Sequence, residues 1–418
     1  MRMNNLMHFS VVFVSILMAA GCGDSDSNKK STPATLTGYL MDTGVSGVNY
    51  SGDKGHQGIT GAGGSFQYQA GELLTFKIGD GNLTLGQTAG LPTVTPLQLA
   101  NATSLSNNGV LNRIRLMIAL DSDGNVSNGI DINETIRTAA GGWNMPDFSA
   151  GTGDATGDFG SDDNMSDIIS DLSTMGVLPT GATSLPTATE AQNHFTETLQ
   201  CAYSGGFVGS FTASDGTTGS WGVLVMPDAS TFYGGAWSLS GSGAGSFVDF
   251  TSGSLNLGSS LLTLNGTIYS DEYLAQGTVT ASASVNTTDH MFGTFSGDAS
   301  GNFEADRVGG SPTAAYRFSG YYEDEYGYTA GVFTMDVDVG GTATGVIHNL
   351  EDNHQYTISG NASGGTLDLQ VSNGATVDGS INLSAGTLSG AQWHEGGASG
   401  TIYGMGCTLR PDLLGMDF

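Results

Sequence analysis

The C-terminal half of the chain contains two copies of a long repeat of short, glycine-bounded apolar segments. The first copy opens with GFVGSF at 206–211 and the second with RFSGYY at 317–322. Each copy holds about eight such segments, spaced by about 8 to 14 residues, a pattern typical of an antiparallel meander. Glycine inside strands allows the tight coiling that small barrels require. The repeat predicts two eight-stranded barrel-like units, at 201–309 and 310–418, although the pattern does not separate two barrels from one larger barrel.

A small antiparallel β-sandwich is predicted at 35–100, where apolar residues alternate and are interrupted by Gly and Asp. Its motifs are G-V-x-Y at 47–50, G-x-T at 58–60, G-x-F-x-Y-x-x-G-E at 64–72 and F-x-I-G at 76–79. At these residues the segment resembles the carboxypeptidase-regulatory-like β-sandwich of bacterial surface lipoproteins. That resemblance implies a spacer or binding module without chemistry.

The repeat half is similar to the glycine-rich barrel repeats of bacterial surface lipoproteins, and distantly to the barrels of transferrin-binding protein B. This resemblance implies a structural, adhesive or recognition role with a protein or glycan partner. The fold class expected for the whole chain is mainly β, with the sandwich, a helical connecting segment and the two barrel-like units in that order.

The helical connecting segment is 101–200, where the apolar spacing changes to that of amphipathic helices. Thr187 and Glu190 have the spacing of a capping box at the start of the third helix. Three helices are predicted, two of them from apolar faces made of Leu111, Ile114, Met117 and Ile118, and of Met165, Ile168, Ile169 and Leu172.

An Asp- and Asn-rich loop separates the first two of these helices. Asp121, Asp123, Asn125 and Asp131 place side-chain oxygens at odd spacing, which suits a hard cation such as Ca²⁺. The loop is not an EF-hand, because its glycine stands at the fourth position instead of the sixth. The alternative is an Asx-rich turn in which Asp131 and Glu134 cap the next helix.

The N-terminus has the features of a lipoprotein leader. A basic and then apolar stretch, too short to span a bilayer, predicts a signal peptide at 1–21. Ala19-Ala20-Gly21-Cys22 resembles a bacterial lipobox, which implies that Cys22 is acylated, with palmitate among its acyl chains, and tethers the protein through residues 22–34. Gly23 favours the outer membrane by resemblance to lipoprotein sorting, with the protein facing the periplasm or the cell surface.

The charge balance is strongly acidic. The chain has 40 Asp and Glu against 11 Lys and Arg, a formal net charge of −29, and neither Lys nor Arg occurs between Arg137 and Arg307. Phosphate backbones and anionic lipid surfaces need clustered basic residues, so no nucleic-acid partner is expected. The acidity is explained most simply as a device for solubility.

With Cys22 acylated, Cys201 and Cys407 remain, and in an exported protein they predict one disulfide across the repeat pair. A tryptic cut at Arg307 or Arg317 would then leave fragments joined until reduction. The alternative is a nucleophilic Cys201 near His194, which would need a more basic environment.

The sequence carries no recognisable catalytic motif: it lacks G-x-S-x-G, H-E-x-x-H, C-x-x-C and a phosphate-binding loop. We therefore expect a protein without enzymatic activity. The alternatives are a lipocalin-like carrier in which each barrel holds a small apolar ligand, a hydrolase acting through carboxylates, although no recognisable pair of them is present, and an integral outer-membrane barrel ending at Phe418.

Two further groups of residues have a functional and a structural interpretation. His348, His354 and His394 would form a metal site if their hairpin tips met, or are solvated turn residues. The acidic, aromatic patch at 321–328 is either a contact surface or a guard against edge-strand pairing.

Overall fold

In the computed structural model, the C-terminal half of the chain forms two closed antiparallel barrels of eight strands each, and small sheets and helices precede them. This architecture confirms the mainly β fold class. It also shows that the repeats form two barrels and not one larger barrel. Thr35–Phe418 constitutes one unit. The structure describes residues 33–126, 128–178, 185–230, 232–270, 274–285, 290–309, 314–323, 329–349 and 354–409.

The N-terminal segment forms two small sheets that pack face to face. The order is β5-β1-β8 in one sheet and β4-β3-β6-β7 in the other, while β2 pairs with β9 beside them. Phe66 and Phe76, one from each sheet, meet edge to face at 5.2 Å between ring centroids and are almost completely buried. The strands are β1 Leu36–Leu40, β2 Val45–Ser46, β3 Asn49–Gly52, β4 Gln57–Ile59, β5 Ser65–Tyr68, β6 Leu73–Lys77, β7 Thr84–Ala89, β8 Thr93–Val94 and β9 Ile130–Asp131.

The helical segment contains the three predicted helices, α2, α4 and α5, and the shorter α3, while the short α1 comes just before it. The capping box of α5 is confirmed, because Glu190 Oε2 accepts from Thr187 N at 2.8 Å. The cap of α3 is Asn133, whose Oδ1 accepts from Ile136 N at 3.1 Å, so the expected capping by Asp131 and Glu134 is wrong. The helices are α1 Pro96–Leu99, α2 Asn108–Ala119, α3 Glu134–Ala140, α4 Asp163–Thr174 and α5 Ala188–Tyr203.

The first barrel follows α5 directly and closes where β10 pairs with β17, with Phe207 opposite Arg307. A Cβ atom on Gly209 would overlap the carbonyl oxygen of Glu304 across this seam, so the close approach of the two strands requires glycine. Its strands are β10 Gly205–Ala213, β11 Thr218–Val225, β12 Phe232–Ser240, β13 Phe247–Asn256, β14 Leu261–Tyr269, β15 Ala275–Val285, β16 His290–Gly297 and β17 Gly301–Arg307.

The second barrel repeats this order and closes where β18 pairs with β25, with Phe318 opposite Gly406. Gly320 occupies the same place at the seam of the second barrel as Gly209 at the seam of the first barrel. A Cβ atom on Gly320 would overlap the carbonyl oxygen of Tyr403. Its strands are β18 Tyr316–Glu323, β19 Thr329–Val337, β20 Thr342–Asn349, β21 His354–Asn361, β22 Thr366–Val371, β23 Thr376–Asn382, β24 Thr387–Glu395 and β25 Ala398–Thr408.

The two barrels differ in how their apolar cores connect to the rest of the chain. One continuous core runs through the small sheets, the helices and the first barrel, whereas the second barrel has a core of its own. Leu224, Met226 and Val332 form a small cluster where the barrels meet, and Gly206 N donates to Thr334 Oγ1 at 3.0 Å across the same contact. The first barrel is therefore an extension of the N-terminal layers, and the second is attached to it.

Candidate ligand-binding cavity of the first barrel

The first barrel contains a cavity of about 270 Å³ near one of its ends. The turns that join β10 to β11, β12 to β13 and β16 to β17 contribute residues to its lining, so its mouth lies at that end of the barrel. The walls are mostly apolar. The aromatic lining residues are Phe211, Trp221, Phe250, Phe295 and Phe303, and the aliphatic ones include Ala213, Ala236, Val248, Ile268, Val279 and Ala281.

The aromatic side chains hold one another in place. Trp221 and Phe303 meet edge to face at 4.6 Å between ring centroids, and Phe211 and Phe295 do so at 5.9 Å. Trp221 Nε1 donates to the carbonyl oxygen of Glu304 at 2.9 Å. Because its only donor is satisfied by backbone, the indole lines the cavity as an apolar surface.

The cavity exists because several inward positions carry small side chains. Alternate residues of a strand point into the barrel, and the inward series includes Ala236 on β12, Ala281 on β15 and Gly297 at the end of β16. An eight-stranded barrel has an interior that ordinary side chains just fill, or that holds one small ligand when they do not. In the first barrel, small residues lie opposite large aromatic ones, so the interior keeps space for a small ligand.

The mouth of the cavity is polar and acidic. Asp215 and Asp298 lie there with the hydroxyl groups of Ser214, Ser300 and Thr217. Ser214 Oγ lies 2.9 Å from Ser300 Oγ, which joins the turn after β10 to the turn after β16. An apolar chamber below a hydrogen-bonding rim is the usual architecture of a small-molecule site.

The opposite end of the first barrel is covered by the end of α5 and the residues that follow it. Tyr203 Oη lies 2.6 Å from Ser260 Oγ, and Gln200 Nε2 donates to Asp228 O at 3.2 Å. Arg307 is buried there, donates to the carbonyl oxygens of Ser204 and Ala202, and stacks over Phe207. The helical segment thus supports the barrel at the end remote from the mouth.

The second barrel is more tightly packed among its described residues. The cavity found between its inward side chains measures about 20 Å³, far less than the cavity of the first barrel. The side chains around that space are Tyr322, Phe333, Met335, Ile347, Ile358, Leu367, Leu369, Val377, Leu388 and Ile402. Of the two barrels, the first therefore has the larger described cavity, and the expectation that each barrel carries a ligand stays a prediction.

The four residues of the predicted calcium loop lie close to one another, but their carboxylates already have protein donors. Asp121 Oδ1 accepts from Asp131 N at 3.0 Å, and Asp123 accepts from Asn125 N and Asn128 Nδ2, both at 2.8 Å. The Asp131 carboxylate accepts from the hydroxyl groups of Ser46 and Ser122. This bonding is that of an Asx-rich turn, and it leaves Asp121 Oδ2 buried without a hydrogen bond.

Burial makes Asp121 unusual among these carboxylates. The residue is 2% exposed, and burial, reinforced by the nearby Asp123 carboxylate, raises the pKa of Asp121 to about 6. Among the residues that the structure describes, no three His, Cys, Asp or Glu side chains are grouped so that they could hold a metal ion. Calcium binding in this loop stays a prediction.

The sequence analysis missed a buried pair beside this loop. Asp42 is completely buried, and its Oδ1 lies 3.2 Å from His194 Nε2 on α5. Burial alone would lower the pKa of His194, but the Asp42 carboxylate raises it above its ordinary value. The two residues are far apart in sequence, and neither belongs to a motif, so no local signal points to them. The pair joins the first sheets to α5.

Cys201 and Cys407 form the predicted disulfide, with their Cα atoms 5.7 Å apart. Cys201 lies in α5 and Cys407 near the end of β25, so the bond joins the start of the first barrel to the last strand of the second. Arg307 and Arg317 are 8% and 7% exposed. Because both side chains are buried, we expect cleavage by trypsin at these two sites to be slow in the native protein.

Among the described residues, His348, His354 and His394 do not form a group of three that could hold a metal ion. His348 is a buried residue of β20 and not a solvated turn residue, while His394 Nε2 lies 2.7 Å from Asp378 Oδ1 on the outside of the second barrel. Tyr321 packs between Tyr233 and Tyr403 on a strand with neighbours on both sides, so guarding an edge strand is not its role.

The predicted acylation site, Cys22, and residues 324–328 of the acidic, aromatic patch lie outside the described residues. In the part of the chain that is described, no helix has the length and apolarity needed to cross a membrane.

No protein-family model matches this sequence, and comparison with curated proteins finds no significant match. The resemblances to the carboxypeptidase-regulatory-like sandwich and to glycine-rich lipoprotein barrels therefore stay predictions from sequence.

Proposed function

We propose that this protein is a lipid-anchored cell-envelope protein with a recognition role, and that its first barrel binds a small, largely apolar molecule without chemical conversion. The observation that carries the proposal is the cavity of about 270 Å³ in the first barrel, beside a second barrel of the same topology with about 20 Å³. The proposal combines the recognition role and the carrier function that the sequence suggests, and it assigns binding to one barrel only.

Size and lining both support a small ligand. Ligand pockets usually measure about 300–1,000 Å³, so this cavity lies at the lower limit. Trp221 and Phe303 are buried, and Phe211, Phe250 and Phe295 are partly exposed, so apolar surface remains accessible within the barrel. Covering that surface would contribute about 25 cal/mol for each Å² removed from water. The hydrophobic effect therefore favours the binding of an apolar molecule in this cavity.

Binding can be tested with an environment-sensitive hydrophobic dye and a variant that fills the cavity. Ala281 is 4% exposed and lines the cavity. We expect Ala281→Leu to weaken dye binding by about tenfold or more, which is about 1.4 kcal/mol. Thr280 precedes Ala281 on β15 and is exposed, so Thr280→Leu is the matched control and should leave binding unchanged. If both variants bind like the parent protein, the dye is not in the cavity and the carrier proposal fails.

The lipid anchor is a separate part of the proposal, supported by the lipobox-like Ala19-Ala20-Gly21-Cys22. Acyl chains on Cys22 would hold the protein at the outer membrane, facing the periplasm or the cell surface. In the native host, Cys22→Ser should move the protein from the membrane fraction to the soluble fraction. If the variant stays in the membrane fraction, the anchor is not an acyl chain on Cys22.

A second candidate function is calcium binding by the loop that contains Asp121, Asp123, Asn125 and Asp131. The observation that favours it is Asp121 Oδ2, which is buried without a hydrogen bond in the neighbourhood of a second carboxylate. If Ca²⁺ binds, calorimetry should show a rise in melting temperature that a chelator reverses and that Asp121→Asn with Asp123→Asn abolishes. Without such a rise in the parent protein, the loop is an Asx-rich turn only.

A further inference from the structure

The carboxylates of Asp215 and Asp298 lie at the mouth of the cavity on neighbouring turns. Asp215 belongs to the turn between β10 and β11, and Asp298 to the turn between β16 and β17. Ser214 N donates to Ser300 O at 2.8 Å, and the hydroxyl groups of the same two serines are 2.9 Å apart. These contacts fix the two turns to each other, so both carboxylates belong to one part of the rim.

Both carboxylates accept hydrogen bonds from neighbouring residues. Asp215 accepts from the hydroxyl group of Ser242 at 2.6 Å and from Thr217 N at 2.9 Å. The Ser242 hydroxyl first, and then the N–H and hydroxyl groups of Thr217, lower the pKa of Asp215 below its ordinary value. Asp298 Oδ2 accepts from Thr278 N at 2.7 Å. The donors are neutral, so they hold the carboxylates in place without cancelling their charge.

Within the described part of the chain, the lining of the cavity contains no Lys, Arg or His. The basic side chains on the strands of this barrel are at the other end, where β16 begins and β17 ends. His290 Nδ1 there lies 2.8 Å from Asp306 Oδ1, and Arg307 donates to backbone carbonyl oxygens beyond the barrel's end. The net charge of −29 adds to the negative potential at the mouth.

We propose that the ligand of the first barrel is a small apolar cation, with its hydrocarbon or aromatic body among the cavity rings and its ammonium group beside Asp215 and Asp298. This inference rests on the proposed function, because it assumes that the barrel binds a ligand. Carboxylates at the rim attract the positive end, and Phe211, Phe250 and Phe295 offer aromatic faces with which a cation interacts favourably. An anionic amphiphile such as a fatty acid would bring its carboxylate to an acidic rim whose described residues offer it no basic partner.

The test compares three probes that share one body and differ in the charge of one end: 3-phenylpropyl-trimethylammonium, 3-phenylpropanol and 3-phenylpropanoate. Their affinities for the full-length protein are measured by titration calorimetry and by competition with the hydrophobic dye. We expect the cation to bind about tenfold more tightly than the alcohol, the scale of one partly desolvated cation–π or ion-pair contact. The carboxylate should bind more weakly than the alcohol, and added salt should reduce the advantage of the cation.

Two sets of variants show whether the rim is responsible. Asp215→Asn with Asp298→Asn keeps the size of both side chains, and we expect it to reduce the advantage of the cation over the alcohol from about tenfold to less than about twofold. Asp306 is exposed on β17 at the other end of the barrel. Asp306→Asn removes one charge from the same barrel and should leave the advantage of the cation unchanged.

The outcomes separate this inference from the proposed function. Suppose that the dye binds at a site sensitive to Ala281→Leu. If the three probes then bind equally, if the carboxylate binds best, or if no probe competes with the dye, the inference is overturned and the carrier function stands. If neither the dye nor any probe binds, both are overturned. If the cation binds best and Asp215→Asn with Asp298→Asn does not change its advantage, another part of the molecule selects the charge, and the assignment to this rim is wrong.

Discussion

The two barrels have the same number of strands, the same antiparallel order and a glycine at the same seam, and yet one contains a cavity and the other is packed. The first barrel places Ala236, Ala281 and Gly297 among its inward positions, whereas the second places Met335, Ile358 and Leu369 there. Topology therefore does not decide whether an eight-stranded barrel can hold a ligand. The identity and arrangement of the side chains that face inward make the difference.

The difference also shows where each barrel obtains its stability. The core of the first barrel continues into the helices and small sheets through Phe207 and Tyr203, both almost completely buried. The second barrel has no such extension within the described residues, and its core is confined to its own interior. The larger cavity therefore lies in the barrel whose core is shared with the rest of the chain, and the smaller one in the barrel whose core is separate.

The largest effect should come from removing a large side chain from the packed barrel. Phe333 is 5% exposed in the second barrel, and Phe333→Ala should lower the free energy of unfolding by about 3–5 kcal/mol. Phe295 already borders the cavity of the first barrel, so Phe295→Ala should cost only about 1 kcal/mol. Denaturant unfolding measures both losses, and hydrogen exchange assigns each to a barrel. Equal losses would mean that the two interiors are packed alike.

A somewhat smaller effect is expected from removing the bond that attaches the second barrel to α5. Cys201→Ser with Cys407→Ser should lower the free energy of unfolding by about 2–4 kcal/mol, because the unfolded chain gains freedom. We expect amide exchange to accelerate in β18 and β25 more than in β10 and β17, since the first barrel also has the shared core. Uniform acceleration in both barrels would contradict the view that only the second depends on this bond.

The smallest changes in stability are expected from enlarging a buried side chain. The second barrel should again lose more stability than the first. Ala391 is 1% exposed in the packed core of the second barrel, so Ala391→Leu should cost about 1–3 kcal/mol. Ala281→Leu enlarges a side chain that faces open space and should change stability by less than about 0.5 kcal/mol. Thermal unfolding of the two variants tests this. A larger loss for Ala281→Leu would show that its surroundings are already filled.

The barrels were predictable from sequence because every strand carries its own signal, an alternation of apolar residues bounded by glycine. Whether they close as two barrels depends on pairings between distant strands, such as Phe207 with Arg307 and Phe318 with Gly406. These pairings leave no local pattern. The capping box of Thr187 and Glu190 was predictable for the opposite reason, since a cap involves residues three positions apart.

The cavity was not predictable to the same degree. Alternation identifies Phe211 and Trp221 as inward residues, but the empty volume depends on which side chains from eight strands meet at one level. The buried pair of Asp42 and His194 is a similar case, because it joins two segments that only the fold brings together. The oxygens of the calcium loop are indeed close in space, but sequence spacing could not show that most of them accept protein N–H and hydroxyl groups.

The disulfide also determines how the molecule carries mechanical load. Cys201 stands before the first strand of the first barrel, and Cys407 stands near the end of the last strand of the second. Tension between α5 and the chain beyond Cys407 therefore passes through one covalent bond and does not reach the hydrogen bonds between barrel strands. While the disulfide is intact, a force applied between these two points does not stretch either barrel. The cavity then keeps its shape under that force.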